Sequence, residues 1–481
     1  MKYFSYLCIM NSTDSLIENL IQQLLSRIDE LTQTVREQNA AISRLNRLVE
    51  QRDSEIRKLK ARLSKYEEPP KNSGNSSVPP TQDPIPDQVA RRTRSLRKPS
   101  GRKSGGQPNH KGRTLEFDGA ADEEERIVPE VCEMCGRPLD GSLAREASSH
   151  YEIDFVVVPR VVRTVSYKCK CSCGHITRSL LPEGMRHGLE YGKNVRSVVT
   201  YLVGEQCVSF KRTSQMMSEV FGVGVSEGTI RNILKKAGRL AAMPYEAIRE
   251  FVEQSRNVGG DETGLYVDGE LHWGWVAQNK EATYIFQDKS RGKKAIEKHF
   301  PDHFPNAVLE SDRHSAYYGL NVAGHQVCTA HLLRNLEYLN ELDPVQTWSR
   351  EFQQLIRDAL DVGKEAGGQP ADQGKVARLK ERAAELLSRN LSSLHAEFEK
   401  LRKGIAKWEE YLFTFLTDGG VSPDNNASER AIRNIKTKQK VSGCFRTNDG
   451  ADIYMMIKSI METANKNGQS KYEALQALAN L

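Results

Sequence analysis

Two aspartates, Asp261 and Asp312, each sit in a run patterned as a short strand, and the chain between them is ordered so that one sheet can bring them together. Val258 to Val267 is an extended run carrying Asp261; after a turn at Asp268-Gly269, Leu271, Trp273 and Trp275 alternate with other residues as a second strand. Thr283 to Phe286 reads as a third strand and Arg291 to Phe300 as a basic, partly helical segment. Ala307-Val308-Leu309 is a fourth strand that delivers Glu310, Ser311 and Asp312. Carboxylates on neighbouring strands are what a divalent-metal site needs, because hard cations take oxygen ligands. A third acid strengthens the pattern. Ser422-Pro423-Asp424-Asn425-Asn426 makes a turn and a cap, after which Glu429, Arg433, Lys436 and Lys440 fall at i, i+4, i+7 and i+11 on one helical face. Alone that face is a surface ladder of ion pairs. Beside Asp261 and Asp312 it reads as an acid for a metal followed by cations for phosphates. Glu262 faces the other side of the strand, Asp268 lies in the turn, and Glu310 shares the parity of Asp312 but precedes the strand end.

A chain of 481 residues exceeds what one core organises, so three or more modules are expected. No apolar run approaches a membrane span, and Met1 to Met10 is too short for a convincing signal peptide. The reading is a cytoplasmic, nucleoid-associated protein with no membrane partner. The net charge of +6 is modest, but cations concentrate in one stretch before the cysteines and again near the C-terminus, which makes nucleic acid the natural partner.

The N-terminal half reads as a series of devices for pairing and gripping. From Ile17 to Tyr66 apolar residues step by four and three (Ile17, Ile21, Leu24, Ile28, Leu31, Val35, Ile42, Leu45, Val49, Ile56, Leu59, Leu63), with Gln38 and Arg52 as polar interruptions. Ile or Val at one seam position and Leu at the other favours a parallel two-stranded coiled coil, so 14–68 is read as a homodimerisation helix. Residues 69–125 are a linker and a basic arm in which Arg91, Arg92, Arg94, Arg97, Lys98, Arg102, Lys103, Lys111 and Arg113 occur with no acid among them. Such an arm neutralises DNA phosphates.

Within 126–187, Cys132 and Cys135 form a metal knuckle, and Cys169, Cys171 and Cys173 offer more thiolates than one tetrahedral zinc needs. Ile153 to Val158 and Val161 to Tyr167 read as a hairpin between the two halves, and the expected cofactor is a structural Zn²⁺ held by Cys132, Cys135, Cys169 and either Cys171 or Cys173. Residues 190–245 read as a helix-turn-helix: Thr213 to Phe221, the turn Gly222 to Val225, then Ser226 to Ala237 capped by Ser226, offering Glu227, Thr229, Arg231 and Asn232 to a groove. Cys328, His331 and Arg334 share one helical face, which reads as core and not as a second metal site. The span 326–420 is an all-helical insertion, broken by the Gly-rich loop Val362 to Gly374, between 250–325 and 421–467; 468–481 is a tail.

These segments together carry a family resemblance. KNSGNSSVPP at 71 to 80, KPSGRKSGGQPNHKGRTL at 98 to 115, the cysteine module, GGDETG at 259 to 264, SDRHSAYY at 311 to 318, CTAHLLRNLEYL at 328 to 339 and DNNASERAIRNIK at 424 to 436 make the chain resemble a DDE transposase of the insertion-sequence 66 family. The resemblance implies a multidomain α/β protein with a ribonuclease-H-like core broken by a helical insertion. It further implies Asp261, Asp312 and Glu429 as a catalytic triad holding Mg²⁺ (or Mn²⁺), with transposon ends and target DNA as substrates. Small accessory proteins of the same element are possible partners. The competing readings are a nuclease that cuts without joining and a non-catalytic DNA-binding repressor of the element.

Overall fold

The computed structural model describes residues 2–63, 69–76, 119–182, 185 and 188–480. The basic arm from Arg91 to Arg113 and Tyr66 of the heptad seam lie outside the described residues. By its contacts the chain divides into 1–71 and 72–481. In the first unit the heptad pattern folds as one helix, α1 (Lys2–Leu63). Its seam residues Ile21, Leu24, Ile28, Leu31, Val35, Ile42, Leu45 and Val49 are all at least half exposed, as a coiled-coil strand is before it meets a partner.

In the second unit, β1 (Lys168–Lys170) and β2 (Ile176–Arg178) pair antiparallel. The hairpin expected over Ile153 to Tyr167 is absent from the fold: those residues form no strand, and Phe155, Val156 and Val161 are almost fully exposed. A run of β-branched residues does not by itself hold a two-stranded ribbon that has no face to bury.

Three helices follow, α2 (Lys193–Gly204), α3 (Phe210–Glu219) and α4 (Glu227–Glu253). Ser209 and Ser226 cap α3 and α4 by accepting the amides of Arg212 and Thr229. Val199, Val203, Met217, Ile230 and Ile233 close a small core between them. α4 is longer than its local pattern suggested. It runs on through Pro244, and its far end carries Tyr245 and Val252 into the core of the central sheet, where the Tyr245 hydroxyl donates to the Ile285 carbonyl at 2.8 Å.

The sheet contains β3 (Asn257–Val267), β4 (Glu270–Gln278), β5 (Thr283–Asp288), then α5 (Lys293–His299), β6 (Phe304–Ser311) and β7 (Val322–Val327), in the order β5-β4-β3-β6-β7. β3, β4 and β5 are antiparallel neighbours, and β6 and β7 run parallel to β3. The β3–β4 turn uses Asp268 and Gly269 with φ of 51° and 80°, the positive pair that suits a tight hairpin. The expected strands, helix and strand are all present; β7 is additional, too short and polar in its first half to stand out as a pattern.

Helices α6 (Thr329–Leu342), α7 (Trp348–Ala366), α8 (Gln373–Ser388), α9 (Ala396–Ala406) and the one-turn α10 (Thr414–Thr417) close around Leu332, Phe352, Leu355 and Phe398 as the expected insertion. α7 continues to Ala366, so its break is shorter than the Gly-rich run implied, and Gly367 ends it with a left-handed φ of 60°. α11 (Asn426–Ser442) and α12 (Asn448–Lys466) cover the sheet face formed by Leu265, Val276 and Ile285. The final segment is an ordered helix, α13 (Lys471–Asn480), docked on α2 through bonds from Arg196 to the Ala479 carbonyl and from Ser197 to the Leu475 carbonyl. Beneath it Lys458, fully buried on α12, is paired with Glu205 at the end of α2 and with Glu462 at 3.0 Å, and Lys471 closes the set at 2.7 and 2.8 Å. Among the described residues no helix is long and apolar enough to cross a membrane.

Burial lowers His299, beside the Tyr284 hydroxyl, and His325, under Tyr318, from 6.5 to about 4. The unfolded chain takes up these protons near pH 6.5 and the folded one resists until about 4. This stabilisation is therefore complete above about 6.5 and lost as pH falls toward 4. The urea midpoint should drop between pH 7.5 and 5, and a His299→Gln, His325→Gln double variant should flatten that drop; an equally steep drop in the variant would refute the assignment.

Candidate active site

The parallel ladder between β3 and β6 sets Asn257 opposite Val308, Val258 opposite Leu309 and Gly259 opposite Glu310. Continued two residues further, the same register brings Asp261 opposite Asp312, where β6 has just ended at Ser311. Asp261 is paired with Val276 on β4, whose side chain belongs to the core beneath α11 and α12, so the Asp261 carboxylate projects toward α11. Glu429 lies in the first turn of that helix.

What seats the helix there is bare backbone on β3. A Cβ at Gly259 would fall 2.6 Å from Gln278 Nε2 and 2.7 Å from Ser428 Oγ, and one at Gly260 would fall 2.8 Å from the Tyr317 ring. Through that opening the Asn425 amide donates to the Gly260 carbonyl at 2.6 Å, one residue before Asp261 and one helical turn before Glu429. The loop that leads in is fastened by Glu310, which accepts the Ser422 amide at 2.6 Å, and by Thr329, which donates to the Pro423 carbonyl.

Electrostatically the site is short of positive charge at its centre. Burial, then the charges of Glu262, Asp312 and Glu429, push the Asp261 carboxyl well above the usual carboxylate range. Asp261 Oδ1 accepts the Glu262 amide at 3.0 Å, and Asp312 Oδ1 accepts the His314 amide at 2.8 Å. Glu429 Oε1 is buried without a hydrogen bond; it faces His331 Nε2 at 3.6 Å and Arg334 Nη2 at 3.7 Å, and Oε2 is 4.0 Å from Arg433. The donor type, carboxylate oxygen, is the one that Mg²⁺ or Mn²⁺ takes, and one of these oxygens is buried and unbonded. The oxygens do not close into a cage, and among the described residues no group of three or more His, Cys, Asp or Glu side chains does so.

The other expected residues fare differently. Arg433 and Lys440 are exposed on α11, and Arg231 is exposed on α4. Lys436 on the same face is half-buried: its ammonium donates to the Gly264 carbonyl at 2.9 Å, and its pKa is lowered by burial and by Lys440. A side chain of that length, one turn past the packed face, reaches the strand before it reaches solvent. Glu262 does face the opposite side, receiving Arg291 at 3.0 Å and the Tyr317 hydroxyl at 2.7 Å. Sequence reasoning passed over Asn425 and set aside His331, Arg334 and Cys328. The i, i+3, i+6 spacing of the last three on one helical face was the available signal.

The cysteines form two local knuckles. The Gly136 amide bonds the Cys132 carbonyl at 2.8 Å, and the Gly174 amide bonds the Cys171 carbonyl at 2.9 Å at the tip of the β1–β2 ribbon. Hydrogen bonds from the backbone and thiol of Cys135 hold the Cys132 thiol below its ordinary value, and those of Cys173 do the same for Cys171. Cys169 instead lies in β1, opposite Thr177. No contact gathers the two knuckles into one site among the described residues.

A mixed sheet with acids gathered under a covering helix is the setting in which comparison with known proteins becomes informative, and the class it gives is a transposase, a nucleic-acid-processing enzyme. The family model described as Transposase IS66 family matches residues 188–453, and the chain belongs to that family. It is also similar to an uncharacterized protein, y4jD, of Sinorhizobium fredii (strain NBRC 101917 / NGR234), 23% identical over 500 aligned positions that cover 94% of this chain and 92% of that one.

Gly259→Ala should force Ser428 and Gln278 apart and lift the start of α11, at a cost of about 1–3 kcal/mol. Chemical denaturation checks this; a variant as stable as the parent would mean that α11 is not seated as described.

Proposed function

We propose that this transposase cleaves the ends of its DNA element and joins them to target DNA, with Asp261, Asp312 and Glu429 as the catalytic acids. The observation that carries the proposal is the buried Asp261 carboxyl on β3, raised by burial and by the charges of Glu262, Asp312 and Glu429, with the parallel register placing Asp312 at the adjoining end of β6. The strand order, with β3 central, β4 and β5 antiparallel and β6 and β7 parallel to it, supports reading the sheet as a ribonuclease-H-like core. The helical insertion enters after β7 and returns before α11.

Asp261 and Asp312 would offer oxygens from the sheet and Glu429 from its helix. Bound there, two Mg²⁺ or Mn²⁺ ions would supply Lewis acidity at the attacking and leaving oxygens of an in-line displacement at phosphorus. In the first step water attacks phosphorus and the 3′ oxygen of the element end leaves; in the second that freed 3′-hydroxyl attacks a target phosphodiester, and the 3′ oxygen of the target strand leaves as the new bond forms. Arg433 and Lys440, both exposed, hold phosphates beside the acids. Lys436 braces β3 against α11.

The remaining modules supply grip. The exposed seam of α1 pairs with a second copy as a parallel coiled coil. The cations from Arg91 to Arg113 neutralise DNA phosphates, and α3 with α4 present Arg231 to a groove. A structural zinc would take Cys132 and Cys135 with two of Cys169, Cys171 and Cys173; the turn geometry at Cys171 and Cys173 supports that pair over the expected Cys169, which lies on its strand.

Asp261→Asn is expected to abolish Mg²⁺-dependent cleavage of labelled element ends while end binding in a gel-shift assay is unchanged. Retained cleavage would sink the catalytic assignment. Metal analysis of the purified chain should find zinc that disappears in Cys132→Ser and Cys171→Ser and persists in Cys169→Ser. Loss only in Cys169→Ser would reverse the choice of ligands.

A further inference from the structure

Glu429 Oε1 is a buried carboxylate oxygen that no donor bonds, yet two groups of α6 face it at ion-pair range. One of them, His331, is held from behind. Its Nδ1 lies 3.3 Å from the Cys328 sulfur, and that sulfur is 3.3 Å from the Asn425 amide. Cys328 is 1% exposed and sits at the N-terminal end of α6, and Asn425 occupies the same position on α11. A thiol has one proton to give and lone pairs to receive. With the Asn425 N–H directed at the sulfur, the S–H is left to donate to His331 Nδ1, which makes Nδ1 the acceptor and places the ring proton on Nε2, facing Glu429. One chain of contacts therefore runs from the amide that opens α11, through the thiol and imidazole of α6, to the acid on the first turn of α11.

We propose that Cys328 and His331 are positioning residues that hold the Glu429 carboxylate ready for a divalent cation. This rests on Glu429 being one of the acids that bind the catalytic metal. The 3.6 Å separation is too long for a hydrogen bond, so the imidazole orients Oε1 without occupying it. Cys328 acts one step further back by fixing the tautomer and the ring plane. The pair has no counterpart at Asp261 or Asp312, whose described acceptor bonds are to backbone amides at 3.0 and 2.8 Å. Glu429 alone comes from a helix outside the sheet, and alone depends on side chains of another helix for its aim.

The test is Mn²⁺ titration of the full chain, followed by thermal shift and by electron paramagnetic resonance of the free ion. His331→Ala should weaken apparent Mn²⁺ affinity by roughly tenfold or more. Cys328→Val, which keeps a similar volume but cannot donate to Nδ1, should weaken it in the same direction, and Cys328→Ser should restore it. These variants are read without DNA, so the result is independent of turnover. Unchanged or tighter Mn²⁺ binding in both folded His331→Ala and folded Cys328→Val overturns the inference. If His331→Ala fails to fold, the contrast between Cys328→Val and Cys328→Ser decides alone. Should the parent chain bind no Mn²⁺, or should Asp261→Asn bind it as well as the parent, the assignment of the acids falls and this inference with it. Parent binding that Asp261→Asn abolishes and Cys328→Val leaves intact removes only the roles given to Cys328 and His331.

Discussion

α11 reaches β3 because two consecutive glycines leave the strand without side chains at the point of closest approach, and Asn425 uses that access to bond the Gly260 carbonyl. Everything that distinguishes this sheet from an ordinary mixed sheet follows from the contact. It places Glu429 one helical turn after the residue that bonds the Gly260 carbonyl, next to Asp261 in sequence, and puts the Asn425 backbone amide in reach of Cys328 on the neighbouring helix. The elements on both sides of the strand are fitted to it, since Tyr317 closes over Gly260 from the opposite face while its hydroxyl caps Glu262.

The insertion is built to leave and return without disturbing this geometry. Gln326 on β7 donates to the Leu412 carbonyl and accepts the Phe415 amide, so the outgoing strand and the returning chain are clasped at one residue, itself fully buried. Glu310 and Thr329 then hold the last loop before α11. Five helices, the last a single turn, are thus placed between β7 and α11 while the gap the chain must close stays short. Loop-closure entropy rises only slowly with the length inserted, so a clasp at the base keeps such an excursion affordable.

Much of this was legible in the residues because the sheet alternates cleanly: Trp273 and Trp275 against Gly274 and Val276, and Asp261 against Glu262, each pair dividing between the two faces as period two demands. The acid on α11 was legible from helical period. What escaped was set by tertiary contact. Asn425 reads as a turn residue, and nothing local says that its amide will find a strand carbonyl 165 residues earlier. Lys436 reads as one more cation on a basic face until the strand beneath it is known. The valines from Val156 to Val162 failed in the opposite direction: a β-branched run either side of Pro159-Arg160 is strand-like, but Val156, Val158, Val161 and Val162 stay mostly exposed. His331 was discounted because a histidine beside a cysteine is usually core, and it is indeed largely buried, yet its other nitrogen faces an acid from a helix nearly a hundred residues further on.

The buried lysine on α12 has a consequence for how the protein holds together under stress. Lys458 has no access to solvent and is neutralised by one acid from α2 and one from its own helix, with Lys471 of the last helix sharing both. Separating α2 from α12 would strand at least one of these charges in an apolar setting, a penalty of roughly 3–5 kcal/mol. α2, α12 and α13 are therefore tied to one another by buried charge as well as by apolar packing. A different helix could take the place of α2 only if it brought an acid to the position of Glu205, because Lys458 and Lys471 would otherwise lose their shared partner.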